Sequence, residues 1–548
     1  MPFPGTAVFC PCHSHRDREK ISVAVDPAAT RPTPPGYGII YNWDGAPHDY
    51  SEYPQSLEQF LDKTYAPIED TQVGALCWCM GIHEATWPSE RLDVVGDSVG
   101  RRYDSVRTMR HVESIRAFFA RGADLYGALV ARGRELGVQV LASVRMNDNH
   151  FWDLLPADLS TAKQSELTAL RKEHPEWLLG LEQAPGWCST SWNMAVPEVR
   201  EHILQRVVEA CQQAEWDGVE LDWQRHAFHL PADDAYRVRY TLTDLMRAIR
   251  AATDAIAAER GRPFYVAVRV ATTFESCRRI GYDIEAWVRD GLCDIVIAGG
   301  NSGTDPGVEV ERFVELCKPA GVCFYGGFDT DGRQQARRLR PHRAWRVDWF
   351  RGLAHDCLDR GADGVYVFNW HGHRDTHRPL LTTMGSQETL RGLDKVYTAQ
   401  HRSVGPKAGR RVDAERDDRI YGEVPVDLLR TLSGDGPTFH IIVSDDAMAD
   451  GAELERVELQ IEVAHLSTQD EVAVTLDGEA LGLPRIRDAA AEDPEDPSDV
   501  SENGWLVWPL EQVAPGVCEV RVCLLERDPR IGVPLRIEQV EIYLQYRH

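Results

Sequence analysis

Between about residue 37 and residue 371 the chain repeats one theme: a short apolar run, then a stretch with helical spacing, then another run. The runs fall at 38–43, 73–80, 138–146, 218–223, 264–271, 293–298, 322–325 and 364–369. The helical stretches between them cover 57–69, 106–136, 197–214, 233–259, 284–290, 308–317 and 345–360. Pro197 suits the first turn of its helix, where a missing N–H costs nothing. Leu136-Gly137 and Arg360-Gly361 read as helix stops. Strands that alternate with helices build a parallel sheet, and eight such units close a (β/α)8 TIM barrel of the α/β class. An open doubly wound sheet would carry a glycine-rich phosphate turn after its first strand. Here that position reads Tyr41-Asn42-Trp43-Asp44-Gly45, which does not fit.

A chain of 548 residues exceeds what one hydrophobic core supports. The texture changes near residue 400, where a basic stretch with Gly and Pro reads as a linker. Beyond it come short alternating runs at 439–443, 454–463, 471–476, 518–525 and 537–545, with Asp477-Gly478 as a turn signal. Regular short strands without strong helices predict a C-terminal β-sandwich. The expected division is an N-terminal extension (1–36), the barrel (37–400), a linker (401–412) and a sandwich accessory domain (413–548). The acidic stretch 488–503, with two prolines, reads as an exposed loop, and 81–105 and 147–196 are long insertions after the second and third strands.

The formal net charge is −26. That disfavours nucleic acid, whose phosphates need Lys and Arg, and it disfavours anionic membrane surfaces. No apolar stretch reaches the roughly 18 residues of a membrane helix. The first twenty residues lack the basic start and apolar run of a secretory leader, so a cytoplasmic location is expected. The 13 cysteines, an odd number, lie mostly within apolar segments, where free thiols act as small core residues. Cys10-Pro-Cys12-His13-Ser-His15 crowds four donors on a Pro-containing terminus and matches no standard zinc spacing. No metal or cofactor is expected.

In a barrel the chemistry sits at the C-terminal ends of the strands, and alternate residues point into the lumen. The fourth run, Trp216-Asp217-Gly218-Val219-Glu220-Leu221-Asp222-Trp223-Gln224-Arg225-His226, is the most informative. Val219 and Leu221 suit the helix-facing side, which leaves Glu220, Asp222 and Gln224 toward the lumen. Two carboxylates so close are expensive to bury unless paired or functional, and each raises the other's pKa. Two readings stand: an ion pair with an inward arginine, or a catalytic pair centred on Asp222. The third run puts Ser143, Arg145 and Asn147 on one face, with Asp148 and His150 opening the loop. The fifth offers Arg269. Arg145 and Arg269 either neutralise the acidic pair or clamp a substrate carboxylate or sulfate.

The segment Asp217-Gly-Val-Glu220-Leu-Asp222-Trp-Gln224 resembles the fourth-strand signature of the chitinase-like glycoside hydrolases, with Gln224 at the position of that family's catalytic acid and Glu220 replacing an Asp. A nearer resemblance is to bacterial family-ten-like glycosyl hydrolases, which carry an Asp-Gly-x-Glu-Leu-Asp run on the fourth strand and Arg-Met-Asn-Asp on the third; here the latter is Arg145-Met146-Asn147-Asp148. The resemblance implies a glycosidase barrel with an appended sandwich and a carbohydrate substrate; it leaves the oligomeric state open. Glycoside hydrolysis uses a second carboxylate. Candidates are Glu275, Asp329, Asp148 and Glu84. Trp43, Trp78, Trp223, Tyr325 and Trp370 lie near strand ends, where each is either a sugar platform or core packing. Asp44, His83, Arg225, His226, Asn369 and His371 complete the expected rim. His371-Gly-His373 resembles the two-His metal pair of amidohydrolase barrels, but those place it after the first strand.

Overall fold

The computed structural model describes residues 32–43, 55–81, 84–151, 154–184, 188–299, 304, 306–329, 347–368, 370, 377–400, 422–446, 454–488 and 503–547. Eight parallel strands are hydrogen-bonded in chain order: β1 (Ile39–Trp43), β2 (Val73–Cys79), β3 (Gln139–Arg145), β4 (Gly218–Asp222), β5 (Tyr265–Val270), β6 (Ile295–Gly299), β7 (Cys323–Asp329) and β8 (Gly364–Phe368). β8 pairs back on β1, from Val365 against Ile39 to Phe368 against Asn42, so the barrel is closed. β7 continues past residue 325 through Gly326 and Gly327, which look like a break in the sequence; a Cβ on Gly326 would stand 2.6 Å from Cys357 Sγ.

Side-chain alternation sorts the core. Leu76, Val140, Val219, Leu221, Val266 and Val296 point outward and pack with the helices. Ile40, Ala75, Cys77, Leu141, Ala267, Ile297, Tyr366 and Phe368 fill the lumen. The stretch 106–136 is two helices, Val106–Ala120 and Leu125–Glu135, and Asp124 restarts the second by accepting a hydrogen bond from the Gly127 amide at 2.9 Å. A short helix that periodicity alone did not reveal, Phe274–Ile280, is capped by Thr273. Among the described residues no helix is long and apolar enough to cross a membrane.

The C-terminal sandwich has two antiparallel sheets. The larger runs β10 (Val426–Leu428), β18 (Leu535–Tyr546), β12 (Leu454–Ala464), β16 (Asn503–Leu510), β15 (Arg485–Asp488). The smaller runs β11 (Thr438–Val443), β17 (Gly516–Glu526), β13 (Glu471–Leu476), β14 (Glu479–Ala480). Asp477 and Gly478, both at positive φ, make the two-residue turn between β13 and β14. β16 escaped the sequence reading because Gly504 to Trp508 are buried on both faces and show no polar alternation.

A ninth strand, β9 (Lys395–Thr398), lies before the expected barrel boundary yet pairs with β18, Tyr397 facing Ile542. It also packs on the Val347–Asp359 helix, where Trp349 Nε1 donates to Thr398 Oγ1 at 3.2 Å. Buried Lys395 pairs with Asp445 at 2.8 Å, and Ser444 Oγ donates to Asp356 at 2.9 Å. A Cβ on Gly352 would stand 2.1 Å from the Val396 carbonyl oxygen. Gly352→Ala is therefore expected to destabilise the protein by about 1–3 kcal/mol through overpacking. The check is the urea midpoint; an unchanged midpoint would mean the helix and β9 can part at no cost.

The eleven described cysteines are unbridged, ten of them buried, as small core residues should be. The Cys10–His15 cluster lies outside the described residues.

Candidate active site at the mouth of β3, β4 and β5

The strand register sets the site. Glu220 lies level with Ser143 on β3 and Ala267 on β5; two residues on, Asp222 lies level with Arg145 and Arg269. Neighbours at one level of a parallel sheet share a face, so the acidic pair and both arginines point into the lumen at its C-terminal end. All four are buried.

The two carboxylates have different surroundings. Glu220 accepts from Asn42 Nδ2 at 2.7 Å and from the Tyr366 hydroxyl at 2.6 Å, both neutral donors. Burial, and then the neighbouring Asp222 charge, push its carboxyl from 4.5 up to about 7. Asp222 instead meets Arg269 Nη1 at 3.1 and 3.2 Å, and its Oδ1 accepts from the amides of Gln224 and Arg225 at 3.1 and 3.0 Å. The amide contacts form an Asx turn that steers the chain out of β4. The ion-pair reading and the pairing of unlike acids therefore coexist: Arg269 takes Asp222, while Glu220 has no arginine among its hydrogen-bond donors in the described residues.

Arg145 turns to Asp148, Nη1 to Oδ2, at 2.8 Å. Asp148 Oδ1 meets His150 Nδ1 in a short hydrogen bond and lies 3.6 Å from His226 Nδ1. His226 sits at φ 58°, and its Nδ1 accepts the Asn149 amide at 3.0 Å. Burial pushes its imidazole well below the usual range, consistent with a neutral ring. One ligand atom each from Asp148, His150 and His226 falls within 4.8 Å of the others, a grouping that could hold a metal. Its chemistry fits a cation poorly: an amide occupies His226 Nδ1, and Arg145 and Arg225 flank the other two.

Asn147 is an anchor. Its side chain donates to the Trp192 and Phe228 carbonyls and accepts the Trp192 amide, all at 3.1 Å, stitching the long β3 insertion to the loop after β4. Gln224 is buried with Oε1 unpaired among the described residues. Glu84 is buried too; burial raises its carboxyl, but His202 at 2.8 Å and Arg206 at 3.9 Å hold it lower overall. Glu275 is exposed, in the first turn of its helix. Trp78, Trp223 and Trp370 pack outward in the layer between strands and helices, Trp78 against Phe60 at 5.3 Å. Tyr325 lies at the opposite, N-terminal end of the lumen, its hydroxyl accepting the Tyr37 amide at 3.0 Å. Asp329 ends β7, with its side chain outside the described set. Asp44, His83, Asn369, His371 and His373 also lie outside it.

Sequence reasoning passed over Asn42, Tyr366 and Phe368. Asn42 was visible as a polar residue inside an apolar run. Tyr366 and Phe368 looked like ordinary strand aromatics, and only closure of the barrel brings β8 within reach of Glu220.

No protein-family description matches the chain, and no curated protein matches it. Solved structures similar to it include a cycloisomaltooligosaccharide glucanotransferase from Paenibacillus sp., at 10% identity and a TM-score of 0.30, with 92% of this chain and 57% of that one covered. A family 18 N-acetylglucosaminidase from Paenibacillus barengoltzii aligns at 13% identity and 0.33, covering 64% and 100%. A family 36 α-galactosidase from Geobacillus stearothermophilus aligns at 11% and 0.36, covering 89% and 55%. This chain thus spans little more than half the length of the first and third.

Proposed function

We propose that this chain is a carbohydrate-active barrel that hydrolyses glycosidic bonds in an oligo- or polysaccharide, with Asp222 and Glu220 at its chemical centre. One observation carries the reading. Two carboxylates stand two residues apart at the C-terminal end of β4 in unlike environments, one met by neutral donors and pushed up by burial, the other bound by a guanidinium and two amides. Environments that push paired acids apart are how a site obtains an acid and a base from the same residue type. The resemblance of the β3 and β4 motifs to family-ten-like glycosyl hydrolases supports the same class. Glu220 would supply or hold the proton, and Asp222 would act as nucleophile, base or stabiliser of developing positive charge on the sugar. Asp148, held by Arg145 at the exit of β3, is a further carboxylate at this mouth.

A second reading has its own observation. Arg269 contacts both Asp222 oxygens and neutral donors satisfy Glu220, so the pair is well compensated without substrate. A barrel that binds glycan without cleaving it fits that arrangement.

Turnover across a broad glycan panel separates the two. Under the hydrolase reading Asp222→Asn loses about 100-fold or more in kcat. The fold should survive, because removing the Asp222 charge lets Glu220 ionise against Arg269. Undiminished turnover with a normal circular dichroism spectrum would refute the role of Asp222; glycan binding with no turnover by the unaltered protein would favour the second reading.

A further inference from the structure

The described side chains around this mouth bear more guanidinium groups than carboxylates. Arg145, Arg171, Arg206, Arg225 and Arg269 gather about Glu84, Asp148, Glu220 and Asp222. Four of the arginines are accounted for. Arg145 pairs with Asp148 and Arg269 with Asp222. Arg206 lies beside Glu84 and donates to the Arg145 and Gly81 carbonyls. Arg171 donates to the Thr190 carbonyl and faces the Trp192 ring at 4.4 Å.

Arg225 is different. Its backbone amide caps Asp222, but among the described residues its guanidinium meets no carboxylate. Nη2 lies 3.4 Å from His150 Nε2, and Nε is buried with no hydrogen-bond partner. Asp148 fixes the His150 ring through Nδ1, so Nε2 is left to accept from Arg225. The guanidinium carbons of Arg269, Arg225 and Arg145 stand 4.2, 5.6 and 5.8 Å from the centroid of one ring, Phe368. The negative face of that ring offsets part of the repulsion among three cations. In a chain of net charge −26, a surplus cation beside an acidic pair runs against the overall balance. Arg225 is half-buried, so its guanidinium is reachable from solvent and is placed to receive an anion entering the mouth.

We infer that the site takes an acidic glycan, whose carboxylate or sulfate group seats on the fork of Arg225 beside His150. This rests on the reading of the barrel mouth as a sugar site. A planar, always-charged fork suits the two oxygens of a carboxylate or sulfate and offers a neutral hydroxyl no comparable match.

Calorimetric titration at neutral pH tests it with three probes: a methyl glucuronide, a galactose 6-sulfate and a neutral methyl glucoside. The two acidic probes, or one of them, should bind measurably better than the glucoside, and which one binds identifies carboxylate or sulfate as the group. Arg225→Gln should weaken that binding about tenfold to a hundredfold. Arg225→Lys keeps the charge without the fork, should fall between the two, and serves if the Gln variant does not fold. Equal binding of neutral and acidic probes, or acidic binding unmoved in both variants, overturns the inference. Turnover by the unaltered protein separates it from the hydrolase reading: acidic binding that depends on Arg225, in an unaltered protein that cleaves no glycan, leaves the anion site standing and removes only the hydrolysis.

Discussion

Arg269→Met is expected to destabilise the protein by about 3–5 kcal/mol, the usual cost of orphaning one partner of a buried ion pair. Arg269 and Asp222 are both fully buried, joined at 3.1 Å, and sit level on adjacent strands. Met fills much of the volume of the arginine stem, so the loss comes mainly from the uncompensated Asp222 charge and not from a cavity. The remaining amide contacts from Gln224 and Arg225 would not offset it. The double variant Arg269→Met with Asp222→Asn should recover much of the loss, because no lone charge remains. Urea midpoints of the four proteins in the cycle measure the coupling. Additive losses would mean that the two groups do not depend on each other.

Glu220→Gln should remove a pH dependence of stability that the parent protein carries. The carboxyl is raised on folding from 4.5 to about 7, chiefly by burial and then by Asp222. A group raised on folding contributes fully below its unfolded value and loses that contribution as pH rises through the folded one. Taken at 1.36 kcal/mol per pH unit, the swing is about 3 kcal/mol between pH 4.5 and pH 7. Gln cannot ionise, so it should gain on the parent protein across that window and hold a constant advantage above it. Its amide can donate to Asn42 Oδ1, which has no partner among the described residues of the parent, once the Asn42 amide turns over. Urea midpoints of both proteins from pH 5 to pH 8 test this. A difference that does not vary with pH would mean Glu220 is ionised throughout.

Much of the barrel was legible because its signal is periodic and repeated. Each crossover needs a strand of one spacing and a helix of another, and both spacings survive in the residue order. β4 was legible for a sharper reason: Val219 and Leu221 bracket Glu220, so burying one face forces the acids onto the other. What the sequence withheld is what closure brings together. Asn42 and Tyr366 reach Glu220 across 178 and 146 residues of chain, and nothing local in either segment signals a carboxylate. The direction of Arg145 was hidden too. It lies as close in register to Asp222 as Arg269 does, but a nearer partner, Asp148, waits three residues along the same strand exit. Alternating burial likewise reveals half-exposed strands such as β17 and conceals β16, which is covered on both faces.

Pairing between β9 and β18 has a consequence for biosynthesis. Tyr397 and Ile542 are neighbours in space and about 145 positions apart in the order of translation. When the ribosome has finished residue 398, β9 still lacks its partner β18, and one flank of the Val347–Asp359 helix packs on that unpaired ribbon. Until residue 544 emerges, the nascent barrel offers a ready edge to any other extended chain. A ribosome stalled in the sandwich should therefore carry a barrel that aggregates or recruits chaperones, while one released after the last strand should not.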